Sequence, residues 1–199
     1  MTSIPFASQI ELSTVVVFVD ATSLVSRLRA NDASAFDAIY EAHHDRVYAF
    51  LFRLAGRRDV ADDLFQETWL SVARSAGRLR DDTNLSAWIF TIARNAYRSH
   101  RRWSFLDLGT FVPLEREDAA TDDADPERRS ATTEERRRLE RCFARLGVAA
   151  REALLLVTLE GFDQVDAAAI LGISHAALRQ RISRARTELA RLMEDDDER

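Results

Sequence analysis

The chain contains no lysine: every one of its 28 basic residues is arginine. That excludes a P-loop lysine and a Schiff-base lysine. The codon bias of a GC-rich genome is the plain reading of this replacement. Arginine is nonetheless well shaped for bidentate contacts with phosphate and guanine. Cysteine is almost missing as well. The single Cys142 excludes a disulfide framework and a cysteine-cluster zinc site. Its setting, Leu139-Glu140-Arg141-Cys142-Phe143, makes it a small core residue of a helix. Glycine (6) and proline (3) are scarce, while leucine, alanine, arginine and glutamate dominate. The expected protein is therefore all-α. No stretch approaches the roughly 18 apolar residues that a membrane-spanning helix needs. The run Val15-Val16-Val17-Phe18-Val19 is short, lacks a basic leader and meets Asp20, so it reads as neither signal peptide nor anchor. A cytoplasmic protein without membrane insertion is expected. His43-His44 and His100 stand without metal-ligand spacing. No metal, cofactor or catalytic constellation is therefore indicated, and the chain does not read as an enzyme.

What the chain does contain is partitioned charge. The formal net charge is −5, but residues 24–102 and 134–192 each carry +3. The acid is concentrated at residues 1–23 (−2), 103–133 (−5) and 193–199 (−4). Local charge, not the total, decides whether a surface can meet phosphate. Two basic blocks separated by an acidic, low-hydrophobicity segment predict two small helical domains joined by a flexible linker. Residues 1–23 read as an extension and 193–199 as an acidic tail.

Apolar periodicity places the helices. Phe36, Ile39, Tyr40, His43, Val47, Phe50, Leu51 and Leu54 form one stripe that Gly56 ends. His43 lies on it as a satisfied core or boundary residue. Asp59 is positioned to cap a second helix, which buries Val60, Ala61, Leu64, Phe65, Thr68, Trp69 and Val72. Its other side displays Asp62, Asp63, Gln66 and Glu67. After the polar loop 78–85, a third helix buries Trp88, Ile89, Ile92, Ala93 and Ala96. At about 100° per residue, Arg94, Arg98 and Arg101 fall opposite that stripe, with Phe90 and Tyr97 beside them. Arginines interleaved with exposed rings suit single-stranded or melting DNA; a solvated basic face with partly buried rings is the alternative. Thr132-Thr133-Glu134-Glu135 has the pattern of a capping box that restarts the helices.

Near the C-terminus, Ala167-Ala168-Ala169-Ile170-Leu171 stops at Gly172, and Ser174 can cap the helix that follows. That helix carries Arg179, Arg181, Arg184 and Arg186 against the single acid Glu188. The layout is a helix-turn-helix, whose second helix usually enters the major groove. Leu178, Ile182, Ala185 and Leu189 form its buried stripe, leaving Ala176, Arg179, Gln180, Ser183 and Arg184 outward. Arg181 and Arg186 flank the stripe and read as phosphate or packing residues.

These segments carry a family resemblance. Asp62-Asp63-Leu64-Phe65-Gln66-Glu67-Thr68-Trp69 and Trp88-Ile89-Phe90-Thr91-Ile92-Ala93-Arg94-Asn95, closed by Arg101-Arg102, resemble region 2 of bacterial sigma factors. Glu160-Gly161-Phe162 and Ile170-Leu171-Gly172-Ile173-Ser174, continuing to Arg184-Ala185-Arg186, resemble region 4. With no region 3 between them, the chain is similar to the extracytoplasmic-function class of the sigma-70 family. The resemblance implies an alternative sigma factor that binds core RNA polymerase, reads promoter DNA at −35 and −10, and aids melting. Asp62, Asp63, Gln66 and Glu67 would then dock on core polymerase. Arg94, Arg98, Arg101 and Arg102, with Asn84 as a polar reader in the preceding loop, would meet the −10 element. Ala176, Arg179, Gln180, Ser183 and Arg184 would read −35. The resemblance further implies an anti-sigma factor as partner, a monomer when free, and a linker whose acids can mimic RNA. Gln164, Val165 and Ala167 depart from the family's usual aromatic, acid and larger aliphatic. Two rivals remain: a dimeric helix-turn-helix regulator acting without polymerase, and a sigma mimic that sequesters an anti-sigma factor.

Overall fold

The computed structural model describes residues 21–108 and 126–197, with side chains over 24–103 and 134–196. Within them lie eight α-helices: α1 (Ala21–Arg29), α2 (Ala33–Ala55), α3 (Arg58–Ser75), α4 (Leu85–Leu108), α5 (Pro126–Arg145), α6 (Val148–Leu154), α7 (Gln164–Leu171) and α8 (His175–Asp197). A short 3-10 turn (Ala76–Arg78) follows α3, and a π-helical turn (Leu155–Leu159) follows α6. No strand occurs among the described residues.

In the N-terminal half, α2, α3 and α4 pack on one another and α1 lies against α2. Asp32 caps α2 by accepting the Ser34 N–H at 2.9 Å, and Arg27 holds its carboxyl down to about 2. Gly56, at φ 72°, ends the helix in the left-handed conformation. Phe50, Leu51, Leu54, Leu64, Val72, Ile89 and Phe90 fill the core. The start of α3 differs from expectation. Arg57 occupies the cap position without a side-chain bond, while Asp59 sits in the first turn, paired with Arg57. A carboxylate there still meets the positive end of the helix dipole, and the helix starts two residues earlier than the predicted cap would allow.

The C-terminal half is organised around α8, against which α5, α6 and α7 pack. Cys142 is buried there, its thiol donating to the Leu192 carbonyl at 3.3 Å. Helix α5 begins earlier than the capping-box pattern predicted, at Pro126, a residue suited to the first helical position. The expected 103–133 linker is therefore shortened from both ends: α4 continues to Leu108 and α5 covers 126–133. Its centre, together with residues 1–20 and 198–199, lies outside the described residues. The acidic tail extends α8, and Asp196 pairs with Arg141 and Arg138 of α5.

The two halves touch. Helix α4 packs on α7 and α2 meets α6, so one apolar core runs through both domains. Phe90 and Phe162 join it edge to face, with centroids 5.0 Å apart.

Candidate nucleic-acid interface

The helix-turn-helix is built as the sequence predicted. Asp163 caps α7 by accepting the Asp166 N–H at 2.7 Å. Gly172, at φ 62°, closes it by donating to the Ala168 and Ala169 carbonyls. The Ser174 hydroxyl accepts the Ala177 N–H at 3.2 Å and starts α8. His175 and the Gln164 side-chain oxygen, 3.0 Å apart, tie the two helices together. Leu178, Ile182 and Ala185 are buried and Leu189 half-buried. Ala176, Arg179, Gln180, Ser183 and Arg184 are all exposed on the opposite side. A shallow groove there is lined by Gln164, Arg179, Ile182, Ser183, Arg186 and Thr187. Gln164, Arg186 and Thr187 add polar groups beside the expected readers, at a spacing that follows from α7 lying across α8.

On α3, Asp62, Asp63, Gln66 and Glu67 are exposed, and Asp62 accepts the Tyr48 hydroxyl at 2.8 Å. Leu70, 54 % exposed, extends that acidic face with an apolar residue. The apolar side of α3 is closed by Phe36, Tyr40, Phe65 and Trp69, in edge and tilted contacts.

Helix α4 departs from expectation. Arg98, Arg101 and Arg102 are exposed, as is Asn95. Arg94 is not: it is only 6 % exposed, and Phe90 and Tyr97 are buried with it. Part of the face opposite the apolar stripe is met by Glu152 of α6 and by α7. Arg94 donates to the Ile170 carbonyl at 3.1 Å and faces the fully buried Glu152 at 3.5 Å. Arg98 approaches the other Glu152 oxygen at 3.7 Å. Burial pulls the Arg94 guanidinium below its ordinary value, while Glu152 pulls it back up. Asn84 is exposed, but both ends of its amide have work in the fold. Its oxygen caps α4 by accepting the Ala87 N–H at 3.1 Å, and its nitrogen donates to Asp166 at 2.9 Å.

Three further residues complete this boundary; Arg46 and Arg151 were not singled out in the sequence, and Glu160 only as part of the segment resembling region 4. Arg151 donates to the Leu54 carbonyl at 3.3 Å, in the last turn of α2. Arg46 donates to the Glu160 carbonyl at 2.7 Å and its carboxylate at 3.2 Å, while lying over the rings of Phe90 and Phe162. The π-helical turn presents Glu160, whose side chain is 4 % exposed. The signal for Glu152 was available: it is an acid directly ahead of the apolar run Ala153-Leu154-Leu155-Leu156-Val157. Among the described residues no cluster could hold a metal ion, and no helix is long and apolar enough to cross a membrane.

A helix-turn-helix domain and a second helical domain with an arginine-bearing helix define a bipartite, sigma-type promoter-binding protein. Residues 39–103 match sigma-70 region 2, and residues 144–191 match the sigma-like domain of the response regulator PhyR. SigM, an ECF RNA polymerase sigma factor of Mycobacterium tuberculosis, is 33% identical over 87% of this chain and 84% of its own. The RNA polymerase sigma factor CarQ of Myxococcus xanthus is 35% identical, covering 85% of this chain and 95% of CarQ. The solved sigma factor RpoE of Bartonella quintana, in complex with the anti-sigma factor NepR, superimposes with a TM-score of 0.67 at 28% identity. That match covers 80% of this chain and 96% of RpoE. The chain belongs to the extracytoplasmic-function sigma factors of the sigma-70 family. It is an alternative sigma factor that directs transcription initiation, and its family is one of regulatory proteins.

Proposed function

We propose that the work of promoter recognition is divided between residues 24–102 and 134–192. The acidic face Asp62, Asp63, Gln66 and Glu67 docks on a basic surface of core RNA polymerase, with Leu70 as its apolar neighbour. Arg98, Arg101 and Arg102 follow the phosphates of the −10 element as it melts, joined by Arg94 and Asn84 once α4 is uncovered. Helix α8 enters the major groove at −35 with Ala176, Arg179, Gln180, Ser183 and Arg184. Arginine there can hold guanine O6 and N7, and glutamine can hold adenine, each worth about 1–3 kcal/mol of discrimination. Arg186, Gln164 and Thr187 hold the flanking phosphates. The chain acts in the cytoplasm by binding and orienting, without catalysis of its own, and forms a complex with an anti-sigma factor, as RpoE does with NepR.

The observation that carries this reading is the exposure of all five α8 residues on one face, directly opposite a continuous buried stripe. The test is run-off transcription by core RNA polymerase from a pool of randomised promoters, with the transcript ends sequenced. Selection of a common −35 and −10 pair is expected with the wild-type chain. Arg179→Ala should relax one −35 position while sparing the others, and Arg98→Ala should slow melting with the −35 preference intact. Uniform loss over all −35 sequences would refute the base-reading role of Arg179. Binding of a palindrome without polymerase, and no specific transcript, would refute the reading as a whole.

A further inference from the structure

Helix α1 reaches into the loop ahead of α4. Val25 and Leu28 are buried and anchor the helix on the N-terminal core. Its end is closed by two backbone bonds around a left-handed residue, Asn31 at φ 58°. The Asp32 N–H donates to the Arg27 carbonyl at 3.0 Å, and the Asn31 N–H to the Leu28 carbonyl at 2.9 Å. Arg27 pins the corner again by pairing with Asp32 at 2.7 Å. The backbone that carries Arg29, in the last turn of α1, is therefore fixed. Its guanidinium donates to the carbonyl of Leu79, 50 positions along the chain, at 3.2 Å. A second nitrogen of the same group pairs with the Asp81 carboxylate at 2.7 Å.

The rest of the loop is closed on itself. The Thr83 N–H donates to the Arg80 carbonyl at 3.0 Å, and the Thr83 hydroxyl accepts the Arg80 N–H at 3.1 Å. Arg80 pairs with Asp82 at 3.1 Å, and Asn84 caps α4. Each aspartate of the loop is thus matched by an arginine, Asp82 from within and Asp81 from α1. An exposed ion pair contributes little by itself. Arg29 does more, because one planar fork also holds the backbone at Leu79, a buried residue. We infer that Arg29 is a positioning residue for promoter reading: given Asn84 and its loop as part of the −10 reader, as proposed above, it holds residues 79–84 in the shape that meets DNA. A loop without this tie would have to be ordered at the moment of binding, and ordering costs affinity.

Two readouts on the full chain separate holding the loop from reading DNA with it. Hydrogen exchange without DNA reports order at the Arg80 and Thr83 amides. Run-off transcription with core RNA polymerase from randomised promoters compares base preference at −10 with that at −35. Arg29 is exposed, so its truncation opens no cavity in the core. Arg29→Ala should speed exchange at both loop amides about tenfold and weaken the −10 preference about fivefold. The −35 preference and exchange in the core of α2 should stay as in the wild type. Asp81→Ala alone should do less, since the Leu79 carbonyl keeps its donor, and added to Arg29→Ala it should change nothing further. A −10 preference restored in that double variant would show that Arg29 merely neutralises Asp81, and would overturn the positioning. Unchanged loop exchange in Arg29→Ala, or faster exchange throughout α2, would also overturn it while leaving the −10 reading in place. A loosened loop with the −10 preference intact would instead remove the loop from the −10 reader, and the role of Arg29 with it.

Discussion

His43 lies where α2 meets the start of α4, and its protonation state is set by its neighbours. Nδ1 is 3.0 Å from the Ile39 carbonyl, which can only accept, so Nδ1 carries the proton and Nε2 accepts from the Ser86 hydroxyl at 2.7 Å. Burial lowers its pKa from the ordinary 6.5, with Arg46 adding a smaller push the same way. A base held below its unfolded value contributes stability that is present above that value and is lost as pH falls through the folded one. Thermal unfolding should therefore shift to lower temperature as the buffer is taken from neutral to mildly acid. His43→Gln, which keeps a polar group near Ser86, should show a shallower dependence. Equal slopes for the two proteins in scanning calorimetry would show that His43 does not titrate between them. This residue was legible in the sequence as a satisfied boundary histidine, because its i−4 carbonyl and apolar neighbours are local. Arg94 was not. Its angle on α4 correctly places it away from the helix's own domain, but a helical wheel contains no second domain. The same limit hid Arg151, which reads as a solvated charge among its neighbours in sequence.

At the scale of elements, caps explain most of what the sequence disclosed. Gly56 and Gly172 both stand at positive φ where a helix stops, and Ser174 bonds the N–H three residues on. The α7–α8 turn depends on Gly172 for conformation only, since an added Cβ would meet nothing within 4 Å. Gly172→Ala should therefore cost about 1–2 kcal/mol from the left-handed backbone alone, and Gly172→Asn less. Ser174→Ala should remove about 1 kcal/mol by stripping the cap of α8. Urea unfolding of the three variants checks the order, and Gly172→Asn below Gly172→Ala would contradict a purely conformational role. Two starts were misread for a related reason. Helix nucleation is unfavourable once and each added residue then extends it, so an upstream start wins if good helix formers follow. Pro126 opens α5 ahead of Thr132, and α3 begins at Arg58 rather than after Asp59. Local patterns mark every admissible start, and the whole helix chooses among them.

At the scale of the whole molecule, two domains of like net charge are held face to face, and that requires acids at the boundary. Glu160 is the one whose titration shifts upward: burial raises its carboxyl above the ordinary 4.5, while Arg46 and Arg53 pull it down by less. If the domains separate, Glu160 regains water and its ordinary pKa. The closed chain then binds more protons than the open one, so closure is favoured as pH falls. That gain is complete below the ordinary carboxylate value and disappears as pH rises through the raised one. Small-angle scattering across this range should show the chain most compact on the acid side and loosening toward neutral pH. Glu160→Gln, neutral at every pH, should remove that dependence and stay as compact as the acid form. His43 works in the opposite sense within the N-terminal domain alone, so it would appear as unfolding rather than as a change of spacing between folded domains. A pH-independent radius of gyration in the wild type, with Glu160→Gln indistinguishable from it, would show that closure is not linked to this carboxyl. Contacts of this kind join residues tens of positions apart in sequence, Arg46 to Glu160 and Asn84 to Asp166. In its own segment each reads as a solvated polar side chain, so the sequence discloses two basic domains but not the acids that bring them together.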